Sequence, residues 1–289
     1  MKKIVLLILT TIHFASAQTV QQEHYQFNQL AINPAFAGAK GNFNLTALLG
    51  NQFNGSFRPQ QLSQILSIDG AIRDGKGGLG IQAFNDRSNF YPNSLGLTTQ
   101  YAHRFNIGEL FSVAVGLQGG FINQNINFVN TFKFYYGGGV LLQTKGFFLG
   151  LSQPVIGHQN PVFFIKNKPF YTSLGMSFGD VEGTMLNTSA MVISGANKGF
   201  HLNAKAWFKQ KFGAGVSYRS ENKNNKIIVM AEYQLSPSVR VGASYDSKPF
   251  DNYQINSGGQ TLQARPVLQL LFRYELLQGE QVNNRLRFF

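Results

Sequence analysis

Side chains alternate with period two along most of this chain, and that pattern leaves few folds open to it. From Lys211 to Arg219, Phe212, Ala214, Val216 and Tyr218 fall on one side, while Lys211, Gly213, Gly215, Ser217 and Arg219 fall on the other. Successive residues of a strand point to opposite faces, so one face is apolar and the other small or polar. The same division separates Phe111, Val113, Val115 and Leu117 from Ser112, Ala114, Gly116 and Gln118. It also separates Val239, Val241, Ala243 and Tyr245 from Arg240, Gly242, Ser244 and Asp246. Further strands are expected at Asn42 to Phe53, Gln61 to Ile72, Gly78 to Asp86, Asn93 to Phe105, Tyr135 to Thr144 and Phe147 to Gln153. Others are expected at Phe170 to Gly179, Leu186 to Ser194, Phe200 to Phe208, Lys226 to Leu235 and Leu262 to Tyr274. The total is about fourteen, an even number of the kind that closes bacterial outer-membrane barrels, and strands of about ten residues suit a bilayer crossing. Turn-like joints such as Arg73-Asp74-Gly75-Lys76-Gly77, Lys145-Gly146 and Ser236-Pro237 separate them. No helical period longer than a turn or two interrupts the series.

A soluble β-sandwich alternates in the same way, so composition has to choose between the two. Charged residues make up only 13% of the chain, against about a quarter in soluble domains, so some surface must face a medium other than water. The polar strand face is rich in Gly, Ser, Gln and Arg, which suits a wet lumen. Aromatic residues fall toward strand ends, at Tyr101, Phe105, Phe121, Tyr218, Tyr233, Tyr245 and Tyr274, where a girdle at the membrane interface places amphipathic rings. The chain closes on Arg285-Leu286-Arg287-Phe288-Phe289, and a terminal aromatic such as Phe289 looks like the signal read by the barrel assembly machinery during biogenesis. In lipid every backbone group needs an internal partner, and for strands only closure supplies it. The expected fold is therefore all-β: a transmembrane antiparallel up-and-down barrel.

The opening residues read as a secretory signal over 1–17. Lys2 and Lys3 precede an apolar stretch from Ile4 to Phe14, and Ala15-Ser16-Ala17 precede Gln18, the expected mature N-terminus. With no Cys in the chain, neither lipid attachment nor a disulfide framework is available. The formal net charge is +12, but Lys and Arg are scattered, which points away from nucleic acid and toward anionic outer-leaflet sugars or an acidic protein. Residues 18–41 form an N-terminal clasp or plug ahead of a barrel over 42–289. Its centre is Asn33-Pro34-Ala35-Phe36-Ala37-Gly38. Proline pushes Asn33 toward extended geometry, and Gly38 can take the positive φ of a sharp turn. Ile32 and Phe36 supply apolar anchors, so the segment reads as a rigid elbow leading into the first strand.

No catalytic constellation emerges. His24, His103, His158 and His201 are dispersed, with no carboxylate or second histidine at ligand spacing, so neither a metal nor a cofactor is expected. A serine hydrolase would need a serine, a histidine and an orienting group on one face, and nothing brings His103 and Ser173 together. Gly137-Gly138-Gly139 lacks the Lys-Ser/Thr of a phosphate loop and reads as small strand residues where a neighbouring side chain crosses. Asp86, Arg219, Arg240 and Asp246 lie in or beside strands and are expected as lumen charges.

These motifs, in this order, resemble the PorP/SprF family of outer-membrane proteins of the type IX secretion system and gliding apparatus. The stretch from Gln26 to Ala39 resembles the family's Asn-Pro-Ala-aromatic-Ala-Gly segment. Asn51-Gln52-Phe53 with Arg58-Pro59 resembles the next, although Phe53 stands where Trp is usual. Gly78-Leu79-Gly80-Ile81 leading to Asn85-Asp86 matches, as does Gly137 to Pro154, most clearly from Phe148 to Pro154. Phe212 to Arg219 and Leu235 to Asp246 resemble two late family strands. The family's Gly-Ser/Thr-His-Glu segment appears only as Ser257-Gly258-Gly259-Gln260. The resemblance implies a non-catalytic barrel in the outer membrane of a Gram-negative bacterium, reached by Sec-type export. It would contact outer-membrane lipid, a secreted cell-surface protein and a periplasmic peptidoglycan-associated partner. Its lumen would be filled by side chains or by the N-terminal segment. The alternative is a diffusion channel or small-solute transporter, for which no separate plug domain and no ring of lumen charge speak.

Overall fold

The computed structural model describes residues 25–52, 61–88, 93–108, 110–126, 129–158, 168–195, 198–221, 224–246, 267–277 and 285–289. The expected signal at 1–17, the start at Gln18, and the motif residues Phe53, Arg58, Pro59 and Ser257 to Gln260 lie outside them. The wall consists of β1 (Phe43–Gln52), β2 (Gln61–Ile72), β3 (Gly77–Ser88), β4 (Asn93–Ile107), β5 (Phe111–Ile126), β6 (Val129–Gln143) and β7 (Phe147–His158). It continues through β8 (Phe170–Gly179), β9 (Thr184–Ser194), β10 (Gly199–Phe208), β11 (Phe212–Glu221), β12 (Asn224–Ser236), β13 (Val239–Asp246) and β14 (Val267–Leu276). Each strand is antiparallel to the next, and β1 closes the barrel on β14 from Phe43↔Leu276 to Gln52↔Val267. Closure leaves no strand edge to lipid.

The strand at Phe43 begins and the strand at Leu276 ends on the same rim. Its connections are short turns such as 73–76, 209–211 and 237–238, whereas at the opposite rim eleven residues separate β7 from β8 and twenty separate β13 from β14. Short turns mark the periplasmic rim of a bacterial barrel and long connections its outer rim. Arg73 and Asp74, and again Lys209 and Gln210, have positive φ, so these four- and three-residue connections reverse the chain through left-handed backbone.

Alternation sorts the wall into an outward apolar set and an inward polar one. Leu79, Leu117 and Val229 are more than half exposed, while Gln82, Ser217 and Arg240 are almost completely buried. Outward aromatic residues gather at both rims. Phe43, Phe105, Phe111, Phe178, Phe208, Phe212 and Tyr274 lie near the periplasmic rim, and Phe121, Phe132, Phe170, Phe200, Tyr218 and Tyr245 near the outer one. Such belts flank a hydrocarbon band.

One expectation needs correction. The hairpin of β5 and β6 is longer than the sequence suggests, running in continuous register to Ile126↔Val129 rather than starting at Tyr135. Asn123, Asn125 and Asn130 break the apolar alternation there because the tip rises past the hydrocarbon band, where no apolar face is required. Residues 25–42 and 285–289 lie inside the lumen, and the last strand ends at Leu276, two residues past the expected Tyr274.

Candidate functional site

The segment ahead of β1 descends through the lumen. Tyr25 starts near the outer rim, where its hydroxyl accepts from Asn203 Nδ2 at 2.8 Å and its ring stacks on His201 beneath the Arg219 guanidinium. Arg219 donates to the Gln26 side chain, and Arg273 donates to the Phe27 carbonyl. Phe27 packs among Leu48, Ile65, Phe84, Met230 and Leu271. Lower down, Ser152 Oγ donates to the Ile32 carbonyl at 2.7 Å. Asn33 caps a single 3-10 turn, Pro34–Phe36, by accepting from the Ala35 amide at 2.9 Å, and its own amide donates to the Val140 carbonyl at 3.2 Å. Near the periplasmic rim the Gly38 amide donates to Asp69 at 3.0 Å, and Arg104 reaches the carbonyls of Ala37 and Gly38.

This path is open because the wall lacks side chains where the segment's backbone passes. A β-carbon on Gly116 would stand 2.5 Å from the Ala35 Cα, and one on Gly78 2.5 Å from the Ala37 carbonyl carbon. On Gly139 it would stand 2.9 Å from Asn33 Cγ. Gly139 is the position in the Gly137-Gly138-Gly139 run that a neighbouring side chain crosses. Gly38 adopts φ +65, so the chain can turn where Ala71 and Gly78 leave no room for a side chain.

The chain's other end closes the periplasmic mouth. Phe288 lies edge-on to Trp207, with centroids 5.1 Å apart, and its carbonyl accepts from the Trp207 indole at 3.1 Å. Phe289 packs on Phe148, which also meets Phe36. The two chain ends therefore share one aromatic cluster. Arg287 pairs with Glu275 at 2.6 Å, and its carbonyl accepts from Arg240 at 2.8 Å. Burial pulls the Lys40 ammonium down to about 7, with Arg273 adding to the pull and Glu275 and Asp69 opposing it.

Asp86, Arg219, Arg240 and Asp246 all face inward but divide among separate groups. Asp86 accepts from Ser63 at 2.7 Å, Asp246 pairs with Lys226 at 3.4 Å, and Arg219 holds the Tyr25–Gln26 end of the segment. Arg240 belongs to a larger set with Glu232, Glu275 and Arg287, extended by a 2.8 Å Lys205–Glu232 pair. Sequence reasoning missed Lys205, Glu232, Arg273, Glu275 and Arg287. The strand parity of the first four was the available signal, since a charge in the inward register of a barrel strand must find a lumen partner.

His103 faces outward between Tyr101 and Phe105, while Ser173 is buried on the lumen side of β8. The wall separates them. His201 faces inward and pairs with Glu221. Among the described residues no group of three or more His, Cys, Asp or Glu could hold a metal ion. Phe289, read as an assembly signal, lies beyond β14 with its ring inside the lumen.

Comparison with solved structures finds other barrels. The Acinetobacter baumannii outer membrane protein Omp33 superposes with a TM-score of 0.52 at 8% identity, covering 81% of this chain and 98% of that one. The KdgM porin superposes with a TM-score of 0.42 at 9% identity, covering 81% and 99%. No curated protein sequence matches. The family model described as type IX secretion system membrane protein PorP/SprF matches residues 14–260. With the closed fourteen-strand wall, this match places the protein in the outer membrane as a member of the PorP/SprF family of type IX secretion system membrane proteins.

Proposed function

We propose that the barrel is a closed, non-catalytic anchor of the secretion and gliding machinery. It holds a secreted cell-surface protein at its outer rim and a periplasmic peptidoglycan-associated partner at its inner one. The filled lumen supports this reading: an N-terminal segment hydrogen-bonded from Tyr25 to Gly38, with a C-terminal tail beneath it, takes the space an aqueous path would need. A fixed lumen makes the wall a rigid support whose rims are free to carry docking surfaces. Affinity purification from native outer membranes, followed by mass spectrometry, is expected to recover a large surface protein together with a periplasmic partner. The same preparation in planar bilayers is expected to show little conductance. Open-pore conductance without co-purifying proteins would replace the anchor with a diffusion channel.

A further inference from the structure

The outer wall of β14, β1, β2, β3 and β4 carries a hollow of about 450 Å³. Its cause is visible in the register. Phe272, Ala47, Leu66 and Ala83 lie side by side on one outward row, and the two alanines leave a depression between larger neighbours. The next row toward the outer rim is Leu270, Leu49, Gln64, Asn85 and Leu95. Here the Asn85 amide donates to Gln64 at 2.9 Å on the exposed face. Two amides in an otherwise aliphatic row need polar company where water is scarce.

The row above adds charge. Arg87 stands two residues beyond Asn85 on the same face, about 7 Å nearer the outer rim. Among the described strand residues that face outward, Arg87 is the only Lys, Arg, Asp or Glu. Along that rim the amides of Asn93, Asn125 and Asn130 continue outward, the last two hydrogen-bonded to each other at 3.0 Å. An apolar hollow, an amide pair and a guanidinium thus follow one another from the bilayer interior to its outer surface.

We propose that this face binds one phosphorylated, multiply acylated saccharolipid of the outer leaflet. An acyl chain fills the depression at Ala47 and Ala83. Gln64 and Asn85 meet the ester, amide or hydroxyl groups where the chains join the sugar. Arg87 takes a phosphate in the paired geometry that guanidinium favours. The hollow's volume falls in the range of ligand sites, and a lone cation at the interface is tolerated where one at mid-bilayer would be costly.

Native mass spectrometry of the full barrel, titrated with lipid A and separately with phosphatidylglycerol, tests the site. Wild-type protein is expected to retain one lipid A. Arg87→Gln and Ala83→Trp are each expected to weaken retention about tenfold, the scale of one charge-assisted contact or one blocked chain. Val192→Trp, outward on β9 across the barrel, should change nothing, and heat-modifiable gel mobility verifies that each variant is folded. Equal retention by wild type and both site variants would mean an annular lipid only and would overturn the proposal. So would phosphatidylglycerol binding as tightly as lipid A, or a second copy of the chain occupying the face.

Discussion

At position 116 the chain tolerates a hydrogen and little else, because the Ala35 backbone occupies the place of a side chain. A Gly116→Val substitution should therefore displace Pro34 and Ala35 from the wall rather than perturb β5, where valine is otherwise a good strand residue. Overpacking of this kind costs about 1–3 kcal/mol. Gly119, three residues along the same strand, has open space around it, so Gly119→Ala should stay within about 0.5 kcal/mol of wild type. Urea titrations read by heat-modifiable mobility would compare the two. Equal midpoints for Gly116→Val and wild type would show that the segment does not bear on the wall in solution.

The C-terminal tail makes a separate test possible, because Trp207 is the only tryptophan in the sequence and Phe288 covers it. Deleting residues 287–289 should expose the indole to water at the periplasmic mouth, giving red-shifted emission and stronger quenching by acrylamide. Unchanged emission would remove the tail as a seal. This element also marks where sequence reading stopped. The fourteen strands were legible because a lipid-facing surface must be apolar, which forces alternation onto every crossing. The tip of β5 and β6 was less legible, since Asn125 and Asn130 sit past the hydrocarbon and no longer follow the rule. The tail carries no periodicity at all. Its partners Trp207 and Phe148 lie far away in sequence, and only their inward register hinted at burial. Likewise the apolar anchors Ile32 and Phe36 could be read from the N-terminal motif, and Gly139 as a place where a side chain crosses, whereas Gly116 looked like the lining of a water-filled channel.

Taken whole, the N-terminal segment ties together strands that the barrel otherwise links only to their neighbours. Phe27 touches β1, β2, β3, β12 and β14 through one cluster, Ile32 reaches β8 and β9, and Phe36 meets β7 through Phe148. Wall and plug should therefore unfold together. Replacing Phe36 with alanine removes a buried ring from the cluster shared by both chain ends, and truncations of that kind cost about 3–5 kcal/mol. The expected outcome is a single unfolding transition at a lower midpoint, with protease sensitivity of the N-terminal segment appearing at the same denaturant concentration as loss of the barrel. Two separated transitions would mean that the plug is an independent insert able to leave while the wall persists. A third result would be the most informative for function. If Phe36→Ala barrels keep wild-type stability but no longer retain their surface protein in affinity purification, the segment's main role is docking rather than fastening, and the anchor works through its lumen rather than its rims.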